Sequence, residues 1–376
     1  MKITINRMAL QKALEFVLKA VSSKPLIPIM NNILVALDDE GTLRITASDG
    51  ELICLRSVLK PDLFEEPGVT TIPGKLLYDF IKTLQEDIIT ITQTDHNTVI
   101  ISWDKGTSEL PTMEPDDFIC ITPPDQATAK RLECSAQDLT SAIAATIGCV
   151  AQDGTRPALT GLYFDIAPAE SNIVSSDSHE LHYYRLKTPA VTEAASFIMH
   201  ARAAGVLRTA LPKEMPVMLL FDSKCVHVIC GQNEMVTRLI DAKYPNYKSI
   251  IPTDNDCIVT IGRATLSNAL QHMIVVSDKR LPTARFKLGF NSIELNAEDL
   301  GRGTRANETL ECDYDGTEME LAIKAHSLLD AVGILDCENV ELAIKDPRKA
   351  ILINPDEKGR EDQPVTILIM PQVISN

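Results

Sequence analysis

The chain repeats itself, and no other feature restricts its fold as much. Leu10, Ala13, Leu14, Val17, Leu18 and Val21 fall at the three-and-four spacing that lines one face of a helix. The pattern returns 129 residues on as Leu139, Ala142, Ile143, Ile147 and Val150, and 127 residues later as Leu266, Ala269, Leu270, Met273 and Ile274. A strand-like run precedes each copy: Ile3 with Ile5, then Leu132-Glu133-Cys134, then Ile258-Val259-Thr260-Ile261. A period of this length marks tandem units and predicts three similar domains over 1–126, 127–254 and 255–376.

Each copy is doubled inside. Ile72 introduces a second helix pattern from Leu76 to Leu84, Phe197-Ile198 one from Ala203 to Leu211, and the run 319–323 one from Leu328 to Leu335. Paired strand patterns follow, 88–91 with 98–103, 217–221 with 226–230, and 340–344 with 350–353. The expected fold class is α+β, with two helices packed on antiparallel sheets in each domain. Shorter features recur as well. Ser48-Asp49-Gly50-Glu51-Leu52 has a counterpart in Ser176-Asp177-Ser178-His179-Glu180-Leu181. Pro115-Asp116-Asp117-Phe118, running to Pro123, has one in Pro245-Asn246-Tyr247, running to Pro252; both read as strands passing into linkers.

Charge narrows the function. With 36 Lys+Arg against 52 Asp+Glu the formal charge is −16, which argues against a protein that coats nucleic acid over its whole surface. The excess is unevenly placed. The six helix segments 7–24, 74–84, 136–149, 200–213, 263–280 and 324–335 together carry +8, leaving −24 for everything else. If the helices share one side of the sheets, that side attracts a phosphate backbone without reading bases. Lys and Arg that merely solvate helix faces give the same count.

Other classes are disfavoured. No apolar run approaches the roughly 20 residues of a membrane span, and the N-terminal segment lacks the apolar core of a signal peptide, so a cytoplasmic location is expected. Nine cysteines, never spaced as C-x-x-C, read as buried thiols rather than a metal or redox site. His179-Glu180-Leu181-His182 falls short of the zinc-protease motif, which needs its second His at i+4 on a helix. No G-x-S-x-G elbow, P-loop or G-x-G-x-x-G follows a strand. Catalytic residues, metal and cofactor are therefore expected to be absent.

Six strand-helix-strand units in three domains, with Thr155-Arg156-Pro157-Ala158-Leu159-Thr160-Gly161, Ser176 to Leu181, Tyr244-Pro245-Asn246-Tyr247 and the terminal Leu368-Ile369-Met370-Pro371, resemble the bacterial DNA sliding clamp family, the beta subunit of DNA polymerase III. The resemblance covers the whole chain in order. It implies a head-to-tail homodimeric ring of clamp-fold domains, helices lining the hole, that encircles double-stranded DNA. It also implies a non-catalytic processivity factor, opened by a clamp loader, that tethers the polymerase III alpha subunit and other proteins carrying a Gln-Leu-x-Leu-Phe-like motif. A tandem-domain scaffold that binds peptides without encircling DNA is the competing class, and a hydrolase without a recognisable motif a weaker one.

Residues carried over by position fall into three groups. Lys24, Lys75, Lys82 and Arg202 match basic DNA-facing positions, and Arg208 shares a helix with Arg202. Arg156, Leu159, Ser176, Ser178, His179, Leu181, Pro245, Ile250, Leu368, Met370 and Pro371 match a partner-peptide pocket between the second and third domains. There Leu159, Leu181, Ile250 and Leu368 can form an apolar floor, Met370 can adapt to different side chains, and Arg156 and His179 can orient polar groups. Taken singly, Leu159, Leu181 and Leu368 each read better as ordinary core than as contact, and only the joint match across distant segments favours the pocket. Val275 and Val276 stand where the other copies have Lys19-Ala20 and Gly148-Cys149, so an apolar patch at this helix face suggests an interface. By resemblance this helix and Leu281 meet an edge near Leu110 of a second subunit. Two features depart from the family: Glu180 stands where a basic or neutral residue is usual, and the tail runs on through Gln372 to Asn376.

Overall fold

The structure is a computed structural model and describes residues 1–22, 25–94, 97–187, 191, 193–280, 282–356, 359 and 364–372. The first repeat runs β1 (Lys2–Asn6), α1 (Arg7–Val17), β2 (Asn32–Leu37), β3 (Leu43–Ser48), β4 (Ile53–Leu59), β5 (Leu63–Glu66), β6 (Gly68–Pro73), α2 (Gly74–Thr83), β7 (Ile88–Gln93), β8 (Thr98–Trp103) and β9 (Gly106–Pro111). The second runs β10 (Lys130–Ser135), α3 (Ala136–Thr146), β11 (Gly161–Ile166), β12 (Ser171–Ser176), β13 (Glu180–Leu186), β14 (Ala195–His200), α4 (Ala201–Ala210), β15 (Pro216–Phe221), β16 (Cys225–Cys230) and β17 (Asn233–Arg238). The third runs β18 (Cys257–Gly262), α5 (Arg263–Val276), β19 (Thr283–Gly289), β20 (Ser292–Asp299), β21 (Thr304–Glu311), β22 (Met319–Lys324), α6 (Ala325–Ile334), β23 (Asn339–Ile344), β24 (Ile351–Pro355) and β25 (Val365–Ile369). Apart from the extra β5, the three element orders are identical.

Physical reasons for the repeat lie at the strand-to-helix junctions. The Asn6 side chain accepts the Ala9 N–H at 3.1 Å, and Ser135 Oγ accepts the Asp138 N–H at 3.1 Å, so each strand ends in a residue that caps the next helix. The apolar faces read from the sequence are the buried ones. Leu10, Ala13, Leu14 and Val17 are enclosed, as are Leu139, Ala142 and Ile143, and Leu266, Ala269, Leu270 and Met273. Cutting a side chain as fully buried as Leu14 back to Ala costs about 2–5 kcal/mol. The Pro-bounded segments expected as strands are instead 3-10 turns at Pro115–Asp117 and Tyr247–Ile250. In the first, proline occupies the opening helical turn, where its missing N–H costs nothing, whereas a sheet ladder would need that donor.

The chain forms two compact units, Met1–Thr140 with Arg202–Asp241, and Ser141–Ala201 with Ala242–Asn376. The first holds a five-stranded sheet, β5-β1-β7-β8-β9, and an eight-stranded one, β10-β15-β16-β17-β4-β3-β2-β6. The second holds an eight-stranded sheet, β14-β11-β12-β13-β25-β24-β23-β18, and a four-stranded one, β21-β20-β19-β22. Each eight-stranded sheet is made by two repeats. β17 of the second repeat pairs with β4 of the first, and β25 of the third with β13 of the second, both antiparallel. Among the described residues no helix is long and apolar enough to cross a membrane.

Candidate functional site

The seam between β13 and β25 gathers most of the expected pocket. Leu181 lies opposite Leu368 in the ladder, and the Met370 N–H extends it by donating to the His179 carbonyl at 3.0 Å. The turn leading into β13 is built by Asp177, whose Oδ1 accepts the His179 and Glu180 N–H groups, both at 2.8 Å. Ser176 Oγ closes it by accepting the Ser178 N–H and donating to the Glu180 carbonyl. Arg156 reaches this turn, its guanidinium donating to Ser178 Oγ at 2.6 Å. Leu159, on the 3-10 turn Pro157–Thr160, is buried.

Pro245 and Ile250 belong to a separately anchored segment. Tyr244 stacks on Tyr163 at 4.5 Å between ring centroids, and Tyr247 donates its hydroxyl to Asp165 Oδ2 at 2.7 Å. Between these anchors Pro245 stays exposed, and Ile250 is 53% exposed. The leucines divide accordingly. Leu159, Leu181 and Leu368 are almost wholly enclosed, so the apolar surface actually presented is that of Ile250, Pro245, Pro371 and Met370, the last 42% exposed.

A cleft of about 1040 Å³ opens beside this seam, and charged and polar residues make up most of its lining. His179, Met370 and Pro371 line it together with Glu180, Lys324, Ser327, Gln372, Arg285 and Lys287, none of the last six singled out as site residues from sequence. Glu180 and Gln372 stand out in the sequence as departures from the family, and the other four belong to no motif there. Burial pushes the Glu180 carboxyl above the usual glutamate range, with the Ser327 side chain hydrogen-bonding it in partial compensation. Burial likewise holds His182 below the usual histidine range, and drives the Cys149 thiol up.

Several basic residues on the helices are exposed. Lys75 and Lys82 project from α2, Arg208 from α4, and Lys12 and Lys19, not singled out from sequence, from α1 and its 3-10 extension. Arg202 is exposed but paired, 2.7 Å from Asp49 Oδ2. Lys19 Nζ donates to the Thr209 carbonyl at 3.0 Å, which ties the α1 extension to α4. Lys24 lies outside the described residues.

Three family models match successive stretches of the chain: the N-terminal domain of the DNA polymerase III beta subunit at residues 1–122, its central domain at 133–246 and its C-terminal domain at 248–373. The chain belongs to the DNA polymerase III beta subunit family. Similar curated proteins include the beta sliding clamp of Pseudomonas putida, 25% identical over 373 residues, covering 98% of this chain and 100% of that one. The beta sliding clamp of Escherichia coli is 25% identical over 383 residues, with 99% of each covered. Among solved structures, DNA polymerase sliding clamps from Pseudomonas aeruginosa and Bacillus subtilis superpose with TM-scores of 0.92 and 0.90 over the full length of both chains, each at 22% identity.

The edge residues expected at the subunit boundary of this beta-subunit chain divide as well. Val275, in the last turn of α5, is 73% exposed, as the aligned Lys19 and Gly148 are. Val276 is half-buried where the aligned Ala20 and Cys149 are enclosed, and its carbonyl accepts the Thr304 hydroxyl at 2.7 Å, which fixes the start of β21. Leu110 points into its own sheet and is only 6% exposed. Edge strand β9 therefore offers its backbone, with Thr107 and Glu109 outward, rather than the leucine. Leu281 lies outside the described residues.

Proposed function

We propose that two copies of this chain close head to tail into a ring that encircles duplex DNA and tethers a polymerase and other DNA-processing proteins to it. One observation carries the reading. Within the chain, the last strand of each later repeat pairs with the third strand after the first helix of the repeat before it: β17 with β4, and β25 with β13. By the same element order the remaining equivalents are β9 and β21, and both stand at the outer ends of their sheets. Two such edges, unpaired among the described residues, suit a joint between copies. A third seam formed by β9 of one copy and β21 of another is heterologous, and it closes when the rotation completes a circle.

A tether needs no chemistry of its own, so the role is non-catalytic, and its place is the cytoplasm where the chromosome lies. Lys24, Lys75, Lys82, Arg202 and Arg208 meet the phosphate backbone through weak, water-tolerant contacts that hold without stopping motion. The β13–β25 seam, with Arg156, His179, Pro245, Ile250 and Met370 exposed around the enclosed Leu159, Leu181 and Leu368, receives Gln-Leu-x-Leu-Phe-like segments of the polymerase alpha subunit, the clamp loader and other partners. The test is topological. Protein placed by a clamp loader on a nicked circle should remain through gel filtration and leave when the circle is cut. Retention indifferent to DNA ends would replace the ring by a peptide-binding scaffold.

A further inference from the structure

The second repeat carries three metal-ligand side chains where the first carries hydrocarbon. In the ladders, Ala47 pairs with Leu55 and Ser175 with His182, so His182 stands in the place of Leu55. Asp49 N–H bonds the Ile53 carbonyl and Asp177 N–H the Glu180 carbonyl, which sets Glu180 against Ile53. Cys149 closes the 3-10 segment after α3 as Ala20 closes the one after α1. Ile53, Leu55 and Ala20 are all fully buried apolar core. Replacing such a triad by Glu, His and Cys is costly unless their polar atoms find a partner.

The missing partner is visible in the hydrogen bonding. His182 is 3% exposed, and its Nδ1 lies 2.9 Å from the Ala145 carbonyl. A carbonyl only accepts, so Nδ1 carries the proton and Nε2 presents a bare lone pair, buried and without a hydrogen-bond partner. That lone pair faces Glu180 Oε2 at 3.9 Å, and one donor atom each from Cys149, Glu180 and His182 lies within 4.8 Å of the others. Ligand atoms around a tetrahedral zinc sit roughly 3.3–3.8 Å apart, given bonds of about 2.0–2.3 Å. Small side-chain adjustments therefore close the set.

We propose that Cys149, Glu180 and His182 form a binding site for a divalent transition-metal ion of the zinc class, enclosed beneath the turn that carries His179. The donor set of thiolate, imidazole and carboxylate suits zinc, with a water completing the tetrahedron. The Nδ1-to-carbonyl hydrogen bond is the outer support that metal-binding histidines use to fix ring and tautomer. Ser175 Oγ donates to the Thr146 carbonyl at 2.5 Å, stitching the Cys149 segment to β12, while Glu180 lines the neighbouring cleft and gives the ion a way in. The run His179-Glu180-Leu181-His182, unfit as a helical zinc motif, works here because a strand has period two and sends residues 180 and 182 to one face. This replaces the expectation from sequence that the chain holds no metal site.

Cobalt substitution tests it in the full-length, reduced, metal-freed protein. One Co²⁺ per chain should give a thiolate-to-metal charge-transfer band and be displaced by Zn²⁺. Cys149→Ala and His182→Leu install the residues that the first repeat buries at these places, so the fold is kept, and each should abolish the band. Each should also weaken zinc, measured against a competing chromophoric chelator, by at least the roughly 10- to 100-fold that loss of a mere supporting group costs. Glu180→Gln, at the cleft-facing ligand, serves as the check that needs no core substitution and should also weaken zinc. No band in the folded wild type, or a band and zinc affinity unchanged in Cys149→Ala or Glu180→Gln, overturns the site.

Discussion

Ser178 and Gly50, 128 residues apart, hold the same left-handed turn, at φ +86° and +80°. Around both, an aspartate Oδ1 accepts the following backbone N–H groups and a serine Oγ accepts the N–H of the left-handed residue. Glycine occupies that region freely, whereas any side chain costs about 1–2 kcal/mol there. Ser178→Gly should therefore raise stability by about 0.5 kcal/mol even after losing the Arg156 contact, and Gly50→Ala should lower it by about 1–2 kcal/mol. Urea midpoints decide; a destabilised Ser178→Gly would mean that the hydroxyl outweighs the backbone.

In the pocket, exposed and enclosed residues should behave differently. Met370→Ala and His179→Ala should each weaken a labelled Gln-Leu-Ser-Leu-Phe peptide by about 1 kcal/mol or more in fluorescence polarisation, with the melting temperature unchanged. Leu181→Ala, deep in the ladder, should instead cost about 2–5 kcal/mol of folding stability. Peptide affinity untouched by both exposed variants removes the seam as the docking site.

Val275 is the most exposed apolar side chain of α5, so Val275→Asp should leave the monomer's stability alone. If β9 and β21 join between copies, a buried charge beside that seam should shift sedimentation from dimer to monomer at micromolar concentration. A dimer unaffected by the substitution places the boundary elsewhere.

Arg56 of β4 and Glu234 of β17 face each other across the seam of the first two repeats, 3.7 Å apart. The hydrogen bond from His227 Nε2, at 3.2 Å, holds the Glu234 carboxyl below the usual glutamate range, and His227 and Arg56 charges add to it against the opposing effect of burial. Because the folded pKa lies below the unfolded one, this stabilisation is present above about pH 4.3 and fades as the pH falls through the folded value. Glu234→Gln should cost about 1 kcal/mol at pH 7 and progressively less in acid. A difference between wild type and variant that stays constant down to about pH 3 contradicts the linkage.

The helix charges make a claim about salt. Lys75→Ala, Lys82→Ala and Arg208→Ala combined should weaken DNA-dependent loading at low salt and flatten its salt dependence, since each lost phosphate contact releases fewer counterions. Arg202, already paired with Asp49, should contribute less than these three. Loading with an unchanged salt slope would show that these side chains do not meet phosphate.

Repetition and local burial were legible along the chain. A helix buries every third and fourth residue and a strand every second, so Leu10 to Val17, Leu139 to Ile143 and Leu266 to Met273 announced their buried faces, and three copies at near-equal spacing announced three domains. Which segments meet is a matter of packing in three dimensions. Periodicity states which face of an element is apolar and is silent about its neighbour, so the pairing of β17 with β4 and the inward turn of Leu110 could not be read along the chain. The polar strands β9 and β17, with weak alternation, escaped notice for the same reason. Cys149 read as a buried thiol, and it is one. That it lies beside Glu180 and His182 depends on a helix end crossing two strands, a contact set by packing between residues about 30 positions apart.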